Sequence, residues 1–249
     1  MEQKYEVMRQ EYEKYTDEDR KVWQLLYERQ VVNLPGAASK EYLAGMQKIG
    51  FTPDKIPNFD EMNAVLRKLT GWEVAVVPGL IPEKDFFELL SDKKFPASTW
   101  LRKLSELDYL EEPDMFHDVF GHVPLLTNQS FVSFLQSLSD IALRYIENPY
   151  AIELISRLYW FSVEFGLIRE NDELRIYGAG ILSSAGETKY SLSGASLYFD
   201  YDVRQMLLTP FRKDVYQDRY FIINSYEQLY NSVDDIAKIL AQEVQQHAA

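Results

Sequence analysis

Cysteine is absent from the chain. That excludes a disulfide framework, a thiolate zinc site and a cysteine-held iron–sulfur cluster. Long apolar runs are missing too: nothing approaches the ~18 consecutive hydrophobic residues of a membrane-spanning helix. The opening stretch, MEQKYEVMRQEYEKY, is charged and lacks the apolar centre of a signal peptide. A cytoplasmic protein without a membrane partner is expected. Positive charge is scarce, with 26 Lys and Arg against 39 Asp and Glu and a formal net charge of -13. Such a surface repels phosphate backbones and anionic headgroups, which argues against nucleic acid as a partner. Histidine is scarcer still, at His117, His122 and His247. The last lies in the terminal QQHAA and is expected to fray, so any imidazole chemistry rests on His117 and His122.

What is present is ordinary globular material. Hydrophobic residues make up 46% and charged residues 26% of 249, enough for a sizeable core. No repeat, low-complexity tract or long Gly/Ser linker divides the chain, so 1–249 reads as one domain. The 17 Tyr, 14 Phe and 4 Trp serve either core packing or a pocket for flat ligands.

The pattern is mostly helical. Thr16 caps TDEDRKVWQLLYERQ, with acidic residues in the first turn and NLPG ending it. Ser39 precedes KEYLAGMQKIG, which Gly50 closes. Asn58 and Glu61 form a capping-box pattern ahead of NAVLRKL. WEVAVV, 72–77, is strand-like and stops at Pro78-Gly79. Pro82 suits the first helical position of PEKDFFELL. Helices are expected from about Ser130 to Ile146 and, apolar on most faces, from about Tyr150 to Leu167. LRIYGAG and RYFIINS read as short strands, and SYEQLYNSVDDIAKILAQEV as one amphipathic surface helix. The fold class is therefore mainly α (α+β), a helical domain with a few short strands.

Chemistry concentrates in EPDMFHDVFGHVP, 112–124. Five residues separate His117 from His122, which at about 100° per residue places them apart around an unbroken α-helix. Gly121 suits the position just past a helix end and Pro124 opposes continuation. On that reading His117 projects from the last turn and His122 swings back from the loop. The alternative is a pair that only stabilises the helix C-terminal carbonyls. Glu164, within the apolar LYWFSVEFGL, supplies a candidate third ligand, because a buried carboxylate needs a partner. Arg157 or Arg169 could pair with it instead. Two histidines and one carboxylate form the facial triad of non-haem iron(II) oxygenases, and the same donors also serve hydrolytic zinc. Arg102 can grip a carboxylate with two parallel bonds or stand as a surface charge. PGLIPEKDFF, 78–87, offers turn backbone and the Phe86 ring to a flat heterocycle, or is a plain strand-to-helix turn. YGAGILSS, 177–184, allows close approach at its glycines, or simply ends a strand.

Taken together, VVPGLIP, FPASTWLR, DYLEEPDMFHDVFGHVPLL, RLYWFSVEFGL and RIYGAGILSS resemble the catalytic domain of the pterin-dependent aromatic amino acid hydroxylases, most closely its bacterial phenylalanine-hydroxylating branch. The similarity runs from about residue 15 to residue 240. It implies that fold, and Fe(II) held by His117, His122 and Glu164. It implies a tetrahydropterin at Gly79, Leu80 and Ile81, stacked on Phe86 with Tyr159 nearby, and O2 as cosubstrate. Arg102 would bind the carboxylate of L-phenylalanine, with Trp160, Gly180 and Ser183 shaping its pocket. Glu112, Asp118 and Ser184 would support these groups. Asp118 stands where animal members carry Glu, and Leu110-Glu111 replaces their Thr-Pro, so these last two receive no role. With no regulatory domain or tetramerising helix expected, the resemblance implies a monomer. The implied reaction is hydroxylation of L-phenylalanine to L-tyrosine; tyrosine or tryptophan as substrate is the alternative within the family.

Overall fold

The computed structural model describes residues 8–108, 110 and 112–248. Glu111 lies outside the described residues. The first helix, α1 (Asp17–Val31), starts where expected: Thr16 Oγ1 accepts from the Asp19 amide while the Asp19 carboxylate accepts from Thr16. Ser39 caps α2 (Lys40–Ile49), and Gly50 ends it at φ 78°. Asn58 caps α3 (Phe59–Leu69), but the reciprocal half of the predicted box is missing because Glu61 pairs with Lys55 instead.

Strand β1 (Glu73–Val76) follows, then α4 (Glu83–Ser91) with Pro82 just before it rather than inside it. Strand β2 (Lys94–Ala97), not foreseen, pairs parallel to β1. Its KFPA sequence is too short to carry a period, and Pro96 argues against a strand; the edge position resolves the conflict, since this sheet has two strands.

The histidine segment departs from the expected helix end. Phe116–His122 is a π-helix, and it continues as a 3-10 helix over Val123–Thr127. Gly121 is therefore interior and terminates nothing. Its lack of a side chain matters for another reason: a Cβ there would sit 2.9 Å from the Ala179 carbonyl oxygen. Pro124 enters at the start of the 3-10 turn, where its missing N–H costs little. Asn128 caps α5 (Gln129–Arg144) and Asn148 caps α6 (Pro149–Tyr159). The predicted helix to Leu167 is cut short: a second π-helix occupies Trp160–Glu164, closed by a bond from the Phe165 amide to the Trp160 carbonyl.

Next comes a hairpin of β3 (Leu167–Glu170) and β4 (Glu173–Ile176), turning at Asn171 and Asp172, both at positive φ. Such a turn favours Asn and Asp. Short helices α7 (Ala179–Leu182) and α8 (Ala185–Tyr190) precede β5 (Leu197–Asp200), α9 (Val203–Leu208) and β6 (Arg219–Ile223). The second sheet has the order β4-β3-β6-β5 and is antiparallel only at the hairpin. The single terminal helix foreseen is two, α10 (Tyr226–Asn231) and α11 (Val233–His247), parted at Ser232. His247 does not fray; its ring stacks on Tyr150 at 3.8 Å between centroids. No helix among the described residues is long and apolar enough to cross a membrane.

One continuous apolar core joins these elements. At its centre Trp23 meets Phe116 and Phe120 edge-on, while those two rings stack at 4.6 Å. The buried Tyr42 hydroxyl donates to the Phe120 carbonyl at 2.7 Å. A wide π-turn alters the helical ladder, so a side-chain donor from α2 on a buried carbonyl there helps hold it. Tyr42→Phe should lower stability by about 1–3 kcal/mol, the cost of an unsatisfied buried acceptor. Urea unfolding with an unchanged slope and a lower midpoint is the expected result.

Candidate active site

The two π-helices bring the predicted ligands together. In a π-helix the amide of residue i+5 bonds the carbonyl of residue i, so residues five apart lie one above the other. His117 and His122 have that separation, and their Nε2 atoms are 3.2 Å apart. Glu164, at the end of the second π-helix, places its carboxylate oxygens 3.5 Å from His117 Nε2 and 3.3 Å from His122 Nε2. One donor atom from each of the three lies within 4.8 Å of the others. Neither arginine takes Glu164: Arg157 pairs with Glu153 and Arg169 with Asp200.

Proton positions follow from the neighbours. Ser183 Oγ donates to the Ala179 carbonyl at 2.8 Å, so it accepts from His117 Nδ1–H at 2.9 Å. The His117 Nε2 lone pair then faces Glu164 and His122. Burial, above all, lowers the His117 pKa to about 4, which keeps the ring neutral at pH 7. Burial pushes the Glu164 carboxyl up, but His122, then His117 and the Gly180 amide pull it below its ordinary value. An anionic carboxylate beside two imidazole Nε2 atoms, all three side chains largely buried, is a donor set suited to a divalent cation of the iron or zinc kind.

Arg102 is held rather than loose. Its Nε and Nη2 bond the two Asp114 oxygens at 2.8 and 2.9 Å, and its amide bonds Oδ2 at 3.0 Å. The pair is nearly sealed, with the Arg102 side chain 9% and the Asp114 side chain 0% exposed. Burial raises the Asp114 carboxyl, yet the Arg102 bonds outweigh it and leave the pKa lowered. Asp114 also accepts from the His117 amide at 3.2 Å. The guanidinium and the histidine segment are thus anchored on one carboxylate, a link that sequence reasoning missed although D-x-x-H was readable.

Asp118 accepts from the Ser98 amide and hydroxyl at 2.8 and 2.9 Å, tying the first π-helix to the end of β2. Burial drives its pKa up to about 7. Glu112 Oε1 accepts from the Leu80 amide at 3.2 Å. Gly79 lies at φ 147°, and a Cβ there would come within 2.6 Å of that same oxygen. Ile81, exposed to an intermediate degree, completes the turn. Phe86 meets Tyr159 edge-to-face at 5.6 Å. Trp160 lies between Phe165 and Phe211, at 4.5 and 4.3 Å. Gly180 packs under Phe165. Ser184 accepts from the Glu187 amide and so caps α8. Ser183, expected against the substrate, contacts His117.

A mainly helical domain with a two-histidine, one-carboxylate donor set defines the mononuclear metalloenzyme class to which facial-triad oxygenases belong. Residues 5–247 match the model of the biopterin-dependent aromatic amino acid hydroxylases. The chain is 45% identical over 227 residues to phenylalanine-4-hydroxylase of Ralstonia nicotianae, covering 91% of this chain and 72% of that one. The corresponding Pseudomonas aeruginosa protein is 41% identical, with 92% and 87% covered. Phenylalanine hydroxylase of Chromobacterium violaceum, solved with bound iron(III) and 7,8-dihydrobiopterin, superposes with a TM-score of 0.91 at 41% identity, over 96% of this chain and 86% of that one. The chain belongs to the biopterin-dependent aromatic amino acid hydroxylase family.

Removing one of the three candidate ligands should abolish tight metal retention while leaving the fold intact. Glu164→Ala reconstituted with Fe(II) and desalted is expected to keep less than about a tenth of the wild-type metal. Elemental analysis beside a circular dichroism spectrum checks both halves. Full metal content would remove Glu164 from the ligand set.

Proposed function

We propose that the chain hydroxylates L-phenylalanine to L-tyrosine, using O2, a tetrahydropterin and Fe(II) held by His117, His122 and Glu164. The observation that carries this reading is the convergence of those three side chains within 4.8 Å, in a chain of this family. Iron and the reduced pterin supply the activation of O2 when bound. The protein's own work is placement, which can supply much of a barrier reduction.

Ser183 fixes the His117 tautomer and so the direction of its Nε2 lone pair. Glu112 holds the Leu80 amide and with it the turn 79–81, over which the pterin would lie. Phe86, steadied by Tyr159, offers its face to the pterin ring. Asp114 engages Nε and Nη2 of Arg102, which leaves the Nη1 hydrogens for the substrate carboxylate. Trp160 and Phe165 give an apolar wall that limits water around the ring. The chain, 1–249, serves as one catalytic domain, a reading supported by the continuous core among the described residues. The reading extends to a cytoplasmic monomer that takes a small-molecule substrate in amino acid breakdown. Its net charge of -13 supports the absence of polyanionic partners.

The deciding assay uses chelator-stripped protein with phenylalanine, O2 and tetrahydropterin, with and without Fe(II), and tyrosine quantified by chromatography. Tyrosine that requires both additions is expected. Turnover confined to tyrosine or tryptophan would reassign the substrate, and zinc-dependent hydrolysis without O2 would overturn the reading.

Arg102 is tested separately. A charge-assisted bond contributes about 1.5–3 kcal/mol, so Arg102→Ala should raise the phenylalanine KM about tenfold or more. Arg102→Lys keeps a cation beside the buried Asp114 but loses the planar fork. It should show the same KM rise with better folding. A wild-type KM in both would free Arg102 from this role.

A further inference from the structure

Gln217 is a buried polar side chain, 5% exposed. Its side-chain oxygen accepts from Trp160 Nε1 at 2.9 Å. Its side-chain nitrogen donates to the carbonyls of Arg212 and Val215 at 2.9 and 3.2 Å. These partners fix which end of the amide points where, because an indole N–H only donates and carbonyls only accept. One side chain therefore ties the loop 212–215 to the π-helix that ends in Glu164. The same loop carries Phe211, whose ring lies on the Trp160 indole at 4.3 Å and 13° between planes.

The Gln217 backbone is pinned independently of its amide group. Its carbonyl accepts from Ser196 Oγ at 2.9 Å, its N–H bonds the Glu187 carboxylate, and the next residue's carbonyl accepts from the Leu197 amide. Replacing the side chain should thus remove the amide contacts without moving the strand.

We propose that Gln217 is a positioning residue for the hydroxylation: it sets the plane of the Trp160 indole through its acceptor oxygen and clamps the Phe211 loop behind it, so that the aromatic wall beside Glu164 has one arrangement. This rests on the proposed function, in which that wall receives the substrate ring. An indole free to tilt would admit the substrate in poses that do not place its ring at the metal centre. Affinity for phenylalanine would fall, and pterin would be oxidised without matching tyrosine formation. Pterin affinity and metal content would stay unchanged, since the hydrogen-bond partners of Gln217 include no candidate metal ligand and no residue of the 79–81 turn.

The test is a double-mutant cycle of Gln217→Leu and Trp160→Phe on the iron-loaded protein, with trypsin sensitivity as a readout that needs no activity. Gln217→Leu should raise the phenylalanine KM about fivefold, as expected for one lost buried hydrogen bond. It should also lower tyrosine formed per pterin oxidised, with an unchanged pterin KM and unchanged iron. The double variant should lose less than the two single losses combined, because each removes the same contact. Trypsin should cut Gln217→Leu after Arg212 and Lys213 several-fold faster than wild type. Strictly additive losses, or an unchanged phenylalanine KM and coupling ratio, would overturn the positioning role; equal cutting would overturn the clamp. A wild type that makes no tyrosine would overturn the proposed function and with it the substrate half of this inference, while the trypsin comparison still decides the clamp.

Discussion

The five-residue backbone step of the π-helix is the constraint on which the site depends. In an α-helix His117 and His122 would diverge, and Glu164 would face one imidazole at most. Widening the turn brings the two rings to one side, where they meet edge to face with their Nε2 atoms 3.2 Å apart. A second π-turn, Trp160–Glu164, presents the carboxylate to both. Such turns have a poorer fit than an α-helix and survive where tertiary contacts hold them. Here those contacts are the Phe116–Phe120 stack, the Trp23 edge and the Tyr42 hydroxyl.

From that pair of turns the remaining parts are reached by short links. Asp114 ties Arg102 to the start of the histidine segment. Asp118 ties it to the end of β2. Ser183 comes from the far side, on a helix that packs closely because Gly121 has no side chain. The three candidate ligands and Arg102 thus share one scaffold, which keeps their separation fixed. That is the property a placement-driven reaction requires.

Two departures from the sequence-based expectation fall at these turns. Gly121 and Pro124 carry the ordinary signals of a helix end. The chain nonetheless continues through both, because Gly121 answers to its neighbour Ala179 and Pro124 sits at the start of a 3-10 turn. The helix to Leu167 was overextended for a related reason: an apolar run does not reveal whether its turns are α or π. Strands β2, β3 and β5 are not visible in the sequence because four residues carry almost no period. Gln217 carries no sign of Trp160, 57 residues away, and Asp114 none of Arg102, although its bond to the His117 amide follows a local D-x-x-H spacing.

The sequence alone determined the family, the identities of His117, His122 and Glu164 as the candidate centre, and the caps at Thr16, Ser39 and Asn58. Those are local or composition-borne: three histidines leave few choices, and a cap lies within three residues of its target. Tertiary structure decided how the histidines meet, that neither Arg157 nor Arg169 pairs with Glu164, and where the proton on His117 sits. These depend on contacts between residues far apart in the chain, and local propensity holds no record of them.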